Sequence, residues 1–152
     1  MCRTQKSMDK AVEMGAVDFA SANPEEVVKD ADVIFLSTPV LQMLPMVKSL
    51  LPFIKKGAII TDAGSTKQYV WNGLKEILPE DIYYIAGHPM TGREKSGVEA
   101  AQKDLFKNKC YVIIEDTGAM IDSVPLKRAG LLHQPQQPAG AFSEEFLSGV
   151  VK

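Results

Sequence analysis

A histidine flanked by glycine and proline is the strongest candidate for chemistry in this sequence. His88 follows the apolar run 83–86 and lies between Gly87 and Pro89. Imidazole titrates near neutral pH, so a histidine placed directly after a buried strand can serve as a general base or a hydrogen-bonding catalyst. The residues alone leave one alternative open, a loop histidine that caps a backbone carbonyl.

Small, hydroxyl-bearing residues follow two other apolar runs. They are Ser37, Thr38 and Pro39 after the first run, and Gly64 and Ser65 after the second. A glycine lets a ligand approach the backbone, and the free N–H groups of a helix N-terminus attract anions. These residues are therefore candidates for binding a nucleotide or a substrate.

Each of these candidates also has a purely structural explanation. Ser65 with Gln68 three residues later predicts a capping box at the start of a helix, which needs no ligand. Thr38 and Pro39 suit a plain turn between strand and helix equally well. In the charged triplet 93–95, a cation could meet a substrate carboxylate and Glu94 could control access to a site. The triplet could also be a solvated face.

Four short apolar runs must position these side chains. The runs are 33–36, 58–61, 83–86 and 111–114. None of them alternates with polar residues, which is typical of parallel strands buried on both faces. They begin about 25 residues apart, the length of a strand plus a crossover helix. The pattern predicts an open, mostly parallel α/β sheet.

The segments between the runs have helical spacing. Helices are predicted after Asn23 as N-cap, along the face of Met43, Val47, Leu50, Leu51 and Ile54, and along Val70, Leu74, Ile77 and Leu78. In such sheets ligands bind beyond the carboxyl ends of the strands. We therefore expect the site to be built from loops 37–40, 62–67, 87–92 and 115–118.

Composition excludes several classes of partner. The chain has 152 residues and a net charge of −2, so it lacks the positive field that nucleic-acid binding requires. No apolar stretch reaches the ~20 residues that span a bilayer, and no signal core follows Met1, so we expect no membrane partner and a cytoplasmic location. Cys2 and Cys110 cannot build a metal site by themselves, and we expect Cys110 to be a buried, reduced thiol.

The segment 86–97, Ala-Gly-His-Pro-Met-Thr-Gly-Arg-Glu-Lys-Ser-Gly, resembles the signature of the prephenate and arogenate dehydrogenase family. The resemblance is supported by three further segments in the same order as in the family, 31–40, 57–67 and 104–106. It covers roughly residues 8–117. It implies a partial doubly wound, Rossmann-like sheet with helices on both faces, in a partial dinucleotide-binding domain at 1–118. The remaining residues, 119–152, are rich in proline and glutamine and are expected to form an irregular tail.

The resemblance implies a reaction and residue roles. The family oxidatively decarboxylates prephenate to 4-hydroxyphenylpyruvate, or arogenate to tyrosine, with NAD or NADP. His88 would hydrogen-bond the 4-hydroxyl of the substrate, and Ser65 would contact the same hydroxyl and the nicotinamide region. Glu94 would act at the mouth of the site. The cofactor-binding site would be lined by Ser37, Thr38, Pro39, Gly64 and Ser65.

The sequence also departs from the family pattern. It contains no Gly-x-Gly-x-x-Gly turn, and nothing after Gly118 resembles the helical domain through which the family dimerises. We therefore expect a fragment that is inactive alone, and the residues do not decide between NAD and NADP or between prephenate and arogenate. The alternative is a non-catalytic α/β remnant that binds or self-associates. Another β-hydroxyacid-type dehydrogenase is disfavoured because its catalytic lysine has no counterpart.

Overall fold

The computed structural model describes residues 4–92 and 97–114. In chain order the elements are α1 (Gln5–Glu13), α2 (Pro24–Val28), β1 (Val33–Leu36), α3 (Val40–Leu50), a 3-10 turn (Leu51–Phe53), β2 (Ile59–Asp62), α4 (Gln68–Ile77), β3 (Tyr83–Pro89), a second 3-10 turn (Val98–Ala100) and β4 (Tyr111–Ile114). Within these ranges no helix has the length and apolar character needed to cross a membrane. Glu94, loop 115–118 and the tail expected at 119–152 lie outside the described residues.

The four strands form one sheet in the order β1-β2-β3-β4. β1, β2 and β3 are parallel, as predicted, and their register pairs Leu36 with Asp62 and Thr61 with Ile85. β4 runs antiparallel to β3, with Tyr111 opposite Pro89 and Ile114 opposite Ala86. The sheet is thus mixed but mostly parallel.

The prediction that 111–114 is a parallel strand buried on both faces was wrong. The described part of the β3–β4 connection contains a 3-10 turn but no crossover helix, and an antiparallel neighbour needs none. Tyr111 is buried whereas Ile114 is exposed. Because β4 runs away from the edge where β1 to β3 end, its carboxyl end does not contribute to that edge.

One hydrophobic cluster joins the sheet to α2, α3 and α4. Its buried members are Val28, Ile34, Leu36, Met43, Val47, Leu50, Ile60, Val70, Leu74 and Ile82. All buried residues of α3 and α4 belong to the apolar faces that helical spacing predicted. α1 instead contacts the 3-10 turn Val98–Ala100 and buries Met8 and Ala11.

Helix α2 begins as the sequence predicts. Asn23 is the N-cap, and its side-chain oxygen accepts a hydrogen bond of 3.1 Å from the Glu25 N–H. The Glu26 carboxylate accepts from the Ser21 hydroxyl at 2.7 Å and from the Asn23 amide at 3.1 Å. These two bonds lower the pKa of Glu26. The N-terminus of this short helix is therefore specified by local residues.

Two local predictions were wrong. Helix α4 begins at Gln68 with Lys67 as N-cap, and no side-chain capping bond is made, so the capping box at Ser65 does not form. The Lys67 side chain instead turns inward to Asp62. Cys110 is exposed rather than buried, because β4 begins one residue later, at Tyr111.

Candidate active site

The predicted cofactor-binding residues follow two strands that end at the same edge of the sheet. β1 and β2 end level with each other, and the Ala63 N–H donates to the Leu36 carbonyl at 3.0 Å. Segment 37–39 and segment 63–65 therefore lie side by side. Ser37, Pro39 and Ser65 are exposed, whereas Thr38 and Gly64 are half-buried.

Thr38 carries an unusual polar atom. Its Oγ1 is buried and has no hydrogen-bond partner among the described residues. Buried hydroxyls in folded proteins are almost always paired, so an unpaired one marks a position where a ligand atom or an ordered water can bind. The residue thus fits the expectation that a cofactor is held beyond the end of β1.

Gly64 has neighbours that would have to shift slightly to admit a Cβ, whether or not a ligand binds. A Cβ at this position would lie 3.0 Å from Asp62 Oδ2 and 3.2 Å from both Met43 Cε and Val40 Cγ2. The Gly64 N–H also donates to Asp62 Oδ2 at 2.9 Å. This turn is therefore tightly packed on its inner side.

Asp62 lies at the centre of this end of the sheet, and no role for it was predicted from the sequence. Its side chain is fully buried at the end of β2. Oδ2 accepts from the Gly64 N–H and from Lys67 Nζ, the latter at 2.5 Å, while Oδ1 accepts from Tyr84 Oη at 2.8 Å and from the Gly87 N–H at 3.3 Å. One carboxylate thus connects the loop after β2 with β3.

Lys67 balances the buried charge of Asp62. The side chains of Asp62 and Lys67 are 0% and 11% exposed, respectively, so their ion pair lies largely out of water. Lys67 Nζ also donates to the Gly87 carbonyl. Gly87 is therefore held through both its N–H and its carbonyl. The sequence signal that could have shown this is an aspartate that ends an apolar run five residues before a lysine.

Tyr111 closes the space beside Gly87. A Cβ on Gly87 would lie 2.1 Å from Tyr111 Oη, so only glycine fits against the ring. The Tyr111 hydroxyl donates to the Asp62 carbonyl at 2.8 Å and lies 3.3 Å from Thr61 Oγ1. Burial raises the pKa of Tyr111 to about 12, and burial together with the hydrogen bond to Asp62 raises that of Tyr84.

His88 lies within β3 rather than in the loop after it. The strand continues to Pro89 because β4 pairs with residues 86–89. The ring is half-buried, and Nδ1 lies 3.2 Å from Met90 Sδ. A thioether sulfur can only accept, so a hydrogen bond here needs the proton on Nδ1 and leaves the lone pair on Nε2. In this tautomer Nε2 is free to accept a hydrogen bond.

Known proteins resemble this chain in sequence and in structure. Residues 2–123 match the family model described as prephenate dehydrogenase, nucleotide-binding domain. Prephenate dehydrogenase of Bacillus subtilis (strain 168) is 38% identical over 104 residues, which are 68% of this chain and 28% of that protein. The chain thus spans less than a third of that relative's length.

Two solved structures are similar to this chain in fold. Synechocystis arogenate dehydrogenase superposes with a TM-score of 0.71 at 30% identity, covering 84% of this chain and 44% of that one. Prephenate dehydrogenase from Aquifex aeolicus, solved in complex with hydroxyphenyl propionate and NAD+, superposes with a TM-score of 0.69 at 31% identity, covering 82% and 43%. The fold is thus Rossmann-like, and the chain belongs to the prephenate dehydrogenase family, in its nucleotide-binding domain.

Proposed function

We propose that residues 1–118 supply the nicotinamide end of the site and the catalytic histidine of an NAD(P)-dependent dehydrogenase that acts on prephenate or arogenate. The observation that carries this proposal is the placement of His88, which lies in β3 beside a backbone held by Asp62 and Lys67. An Nε2 lone pair on a half-buried ring suits acceptance of a proton from a substrate hydroxyl.

The cofactor is proposed to lie along the ends of β1 and β2. Thr38 Oγ1 would gain the partner that it lacks, and Ser37, Pro39, Gly64 and Ser65 would line the same surface. When bound, NAD+ or NADP+ supplies a hydride acceptor. The unpaired Thr38 hydroxyl supports this position but does not distinguish the two cofactors.

His88 would act on the substrate hydroxyl while the hydride leaves the same carbon. As the hydroxyl proton moves to Nε2, the electron pair of the O–H bond can form the carbonyl that hydride loss requires. Loss of carbon dioxide then makes the ring aromatic, and His88 returns its proton to the phenolate oxygen. Ser65 is proposed to hydrogen-bond the same hydroxyl, and Glu94 to control access to the site.

Cofactor titration of the labelled chain tests the proposal. NAD+ and NADP+ are added separately to the ¹⁵N-labelled protein, and we expect amide shifts centred on Thr38, Ser65 and His88. The variant His88→Asn should retain these shifts at the first two positions, because the ring acts on substrate rather than on cofactor. Shifts confined to other regions, or none at millimolar cofactor, would contradict the proposed site.

Turnover is measured in parallel from the absorbance of reduced nicotinamide with prephenate or arogenate. We propose that the chain alone turns over negligibly, since its sequence lacks the Gly-x-Gly-x-x-Gly turn that holds the pyrophosphate. The family enzyme is proposed to act as a homodimer through a helical domain. Clear turnover by the chain would contradict the expectation of an inactive fragment while supporting the proposed reaction.

A second candidate is a non-catalytic module that self-associates. In the part of the chain that the structure describes, β1 and β4 each pair with one strand, so each leaves an edge that another chain could extend. Sedimentation analysis distinguishes the two proposals. Stable association without any cofactor-induced shifts would favour the self-association module, whereas cofactor shifts at the proposed residues favour the dehydrogenase.

A further inference from the structure

The side chain of Asp62 continues the connection between β2 and β3 beyond their backbone pairing. The backbone register of these strands ends at the pair Thr61 and Ile85. Beyond that pair, Asp62 Oδ1 accepts from the Gly87 N–H at 3.3 Å, and Lys67 Nζ donates to the Gly87 carbonyl. The backbone on the N-terminal side of His88 is therefore attached to β2 by side chains.

The same carboxylate shapes the turn that precedes Ser65. Oδ2 accepts from the Gly64 N–H at 2.9 Å, and the side chains of Val40 and Met43 lie close to the same glycine. An ionised carboxylate offers about four acceptor positions, and all four are used here. Two of the donors are backbone groups one residue before Ser65 and His88.

We propose that Asp62, with Lys67, is the positioning residue of this site, fixing the Ser65 turn and the His88 backbone relative to each other. Its importance for catalysis rests on the proposed function, in which Ser65 and His88 act on one substrate hydroxyl. Tyr84 supports the arrangement by donating to Oδ1 at 2.8 Å. Asp62 acts through these neighbours and is not itself assigned contact with substrate.

The substitution Asp62→Asn should affect the Gly87 N–H and the Gly64 N–H differently. An amide has one oxygen, and the buried Lys67 ammonium will hold that oxygen on the Oδ2 side. The NH2 group then faces Tyr84, whose hydroxyl can turn to accept from it. The Gly87 N–H cannot reverse its role and loses its acceptor, whereas the Gly64 N–H keeps its own. Asp62→Asn should therefore release the His88 backbone but leave the Ser65 turn in place.

Amide hydrogen exchange on the ¹⁵N-labelled full chain measures this difference. In Asp62→Asn we expect the Gly87 amide to exchange about tenfold faster or more, the effect of losing a hydrogen bond to a charged acceptor, while the Gly64 amide changes much less. The ring signals of His88 should also shift. The matched control Asp32→Asn removes one carboxylate from an exposed ion pair with Lys55 and should change neither readout.

If Asp62→Asn does not fold, the double variant Asp62→Leu with Lys67→Met serves instead, because it removes both charges of the buried pair and leaves no side-chain oxygen to accept from the Gly87 N–H. In it the Gly87 carbonyl loses its donor, so its carbonyl carbon signal should move and the Gly87 amide should exchange faster than the amides of β1. Unchanged Gly87 protection, or an equal rise over all strands, would overturn the positioning role. Exchange is measured without cofactor or substrate, so its result is independent of the titration that tests the proposed function.

Discussion

Replacing Gly87 with alanine tests whether Tyr111 holds the backbone beside His88. An ideal Cβ at position 87 would lie 2.1 Å from Tyr111 Oη and 2.4 Å from its Cε1, far inside normal contact. The ring cannot move aside freely, because its hydroxyl donates to the Asp62 carbonyl at 2.8 Å and the ring lies 5.9 Å from that of Phe35. Either the strand or the ring must therefore be displaced.

The expected cost follows from these contacts. Overpacking a filled core costs about 1–3 kcal/mol. Displacing the ring also breaks the Tyr111 bonds to the Asp62 carbonyl and to Thr61, each with a net contribution of about 1 kcal/mol. We expect Gly87→Ala to lower the free energy of unfolding by about 3–5 kcal/mol. For a chain of this size that corresponds to a fall in Tm of about 6–20 °C.

Urea unfolding followed by the fluorescence of Trp71 measures the loss, with two comparisons. Gly57→Ala introduces the same methyl group where φ is +80° and nothing lies within 4 Å, so its cost of about 1–2 kcal/mol is that of the backbone conformation alone. In the background of Tyr111→Ala, which removes the obstructing ring, adding Gly87→Ala should cost little more. Additive losses, or a Gly87→Ala loss no larger than that of Gly57→Ala, would refute the steric explanation.

Three further predictions concern the same edge of the sheet. Asp62→Asn should cost about 3–5 kcal/mol in urea unfolding because it leaves the positive charge of the buried Lys67 ammonium without a compensating negative charge. The substitution of the exposed Asp32 by Asn should cost far less, and equal losses would contradict this explanation. Because burial raises the pKa of Tyr111 to about 12, the folded state favours the protonated phenol, so its contribution to stability is complete below pH 10 and is lost as the pH rises towards 12. Between pH 10 and 12 the free energy of unfolding should thus fall more steeply for the wild type than for Tyr111→Phe. Parallel curves of stability against pH would contradict this prediction. ¹⁵N spectra should show that the neutral ring of His88 carries its proton on Nδ1, and Met90→Leu should lower the population of this tautomer. A predominant Nε2–H tautomer in the wild type would contradict a hydrogen bond to the sulfur.

Much of the fold was predictable because hydrophobic patterning is a local property of the chain. The runs at 33–36 and 111–114 form strands with the predicted bounds, and the spacing of Val70 and Leu74 identified the buried face of α4. Asn23 specified the start of α2 because an N-cap acts on N–H groups two or three residues away. The segment around His88 likewise identified the family from residues adjacent in sequence.

Other features depend on contacts between residues that are distant in sequence. The direction of β4 is set by its pairing with 86–89, and apolar character alone does not encode strand direction. Ser65 fails as an N-cap because Lys67 is drawn to Asp62, although its local pattern is suitable. Cys110 is exposed because the strand that it was expected to join begins after it.

The sequence by itself determined where the four strands lie, which faces of α3 and α4 are buried and which histidine is the candidate for chemistry. The tertiary structure alone decided what holds that histidine. The Asp62 carboxylate meets donors from Gly64, Lys67, Tyr84 and Gly87, which are 2 to 25 residues away along the chain. Such a buried carboxylate is stable only when all its partners converge on it, and that convergence exists only after the strands have paired.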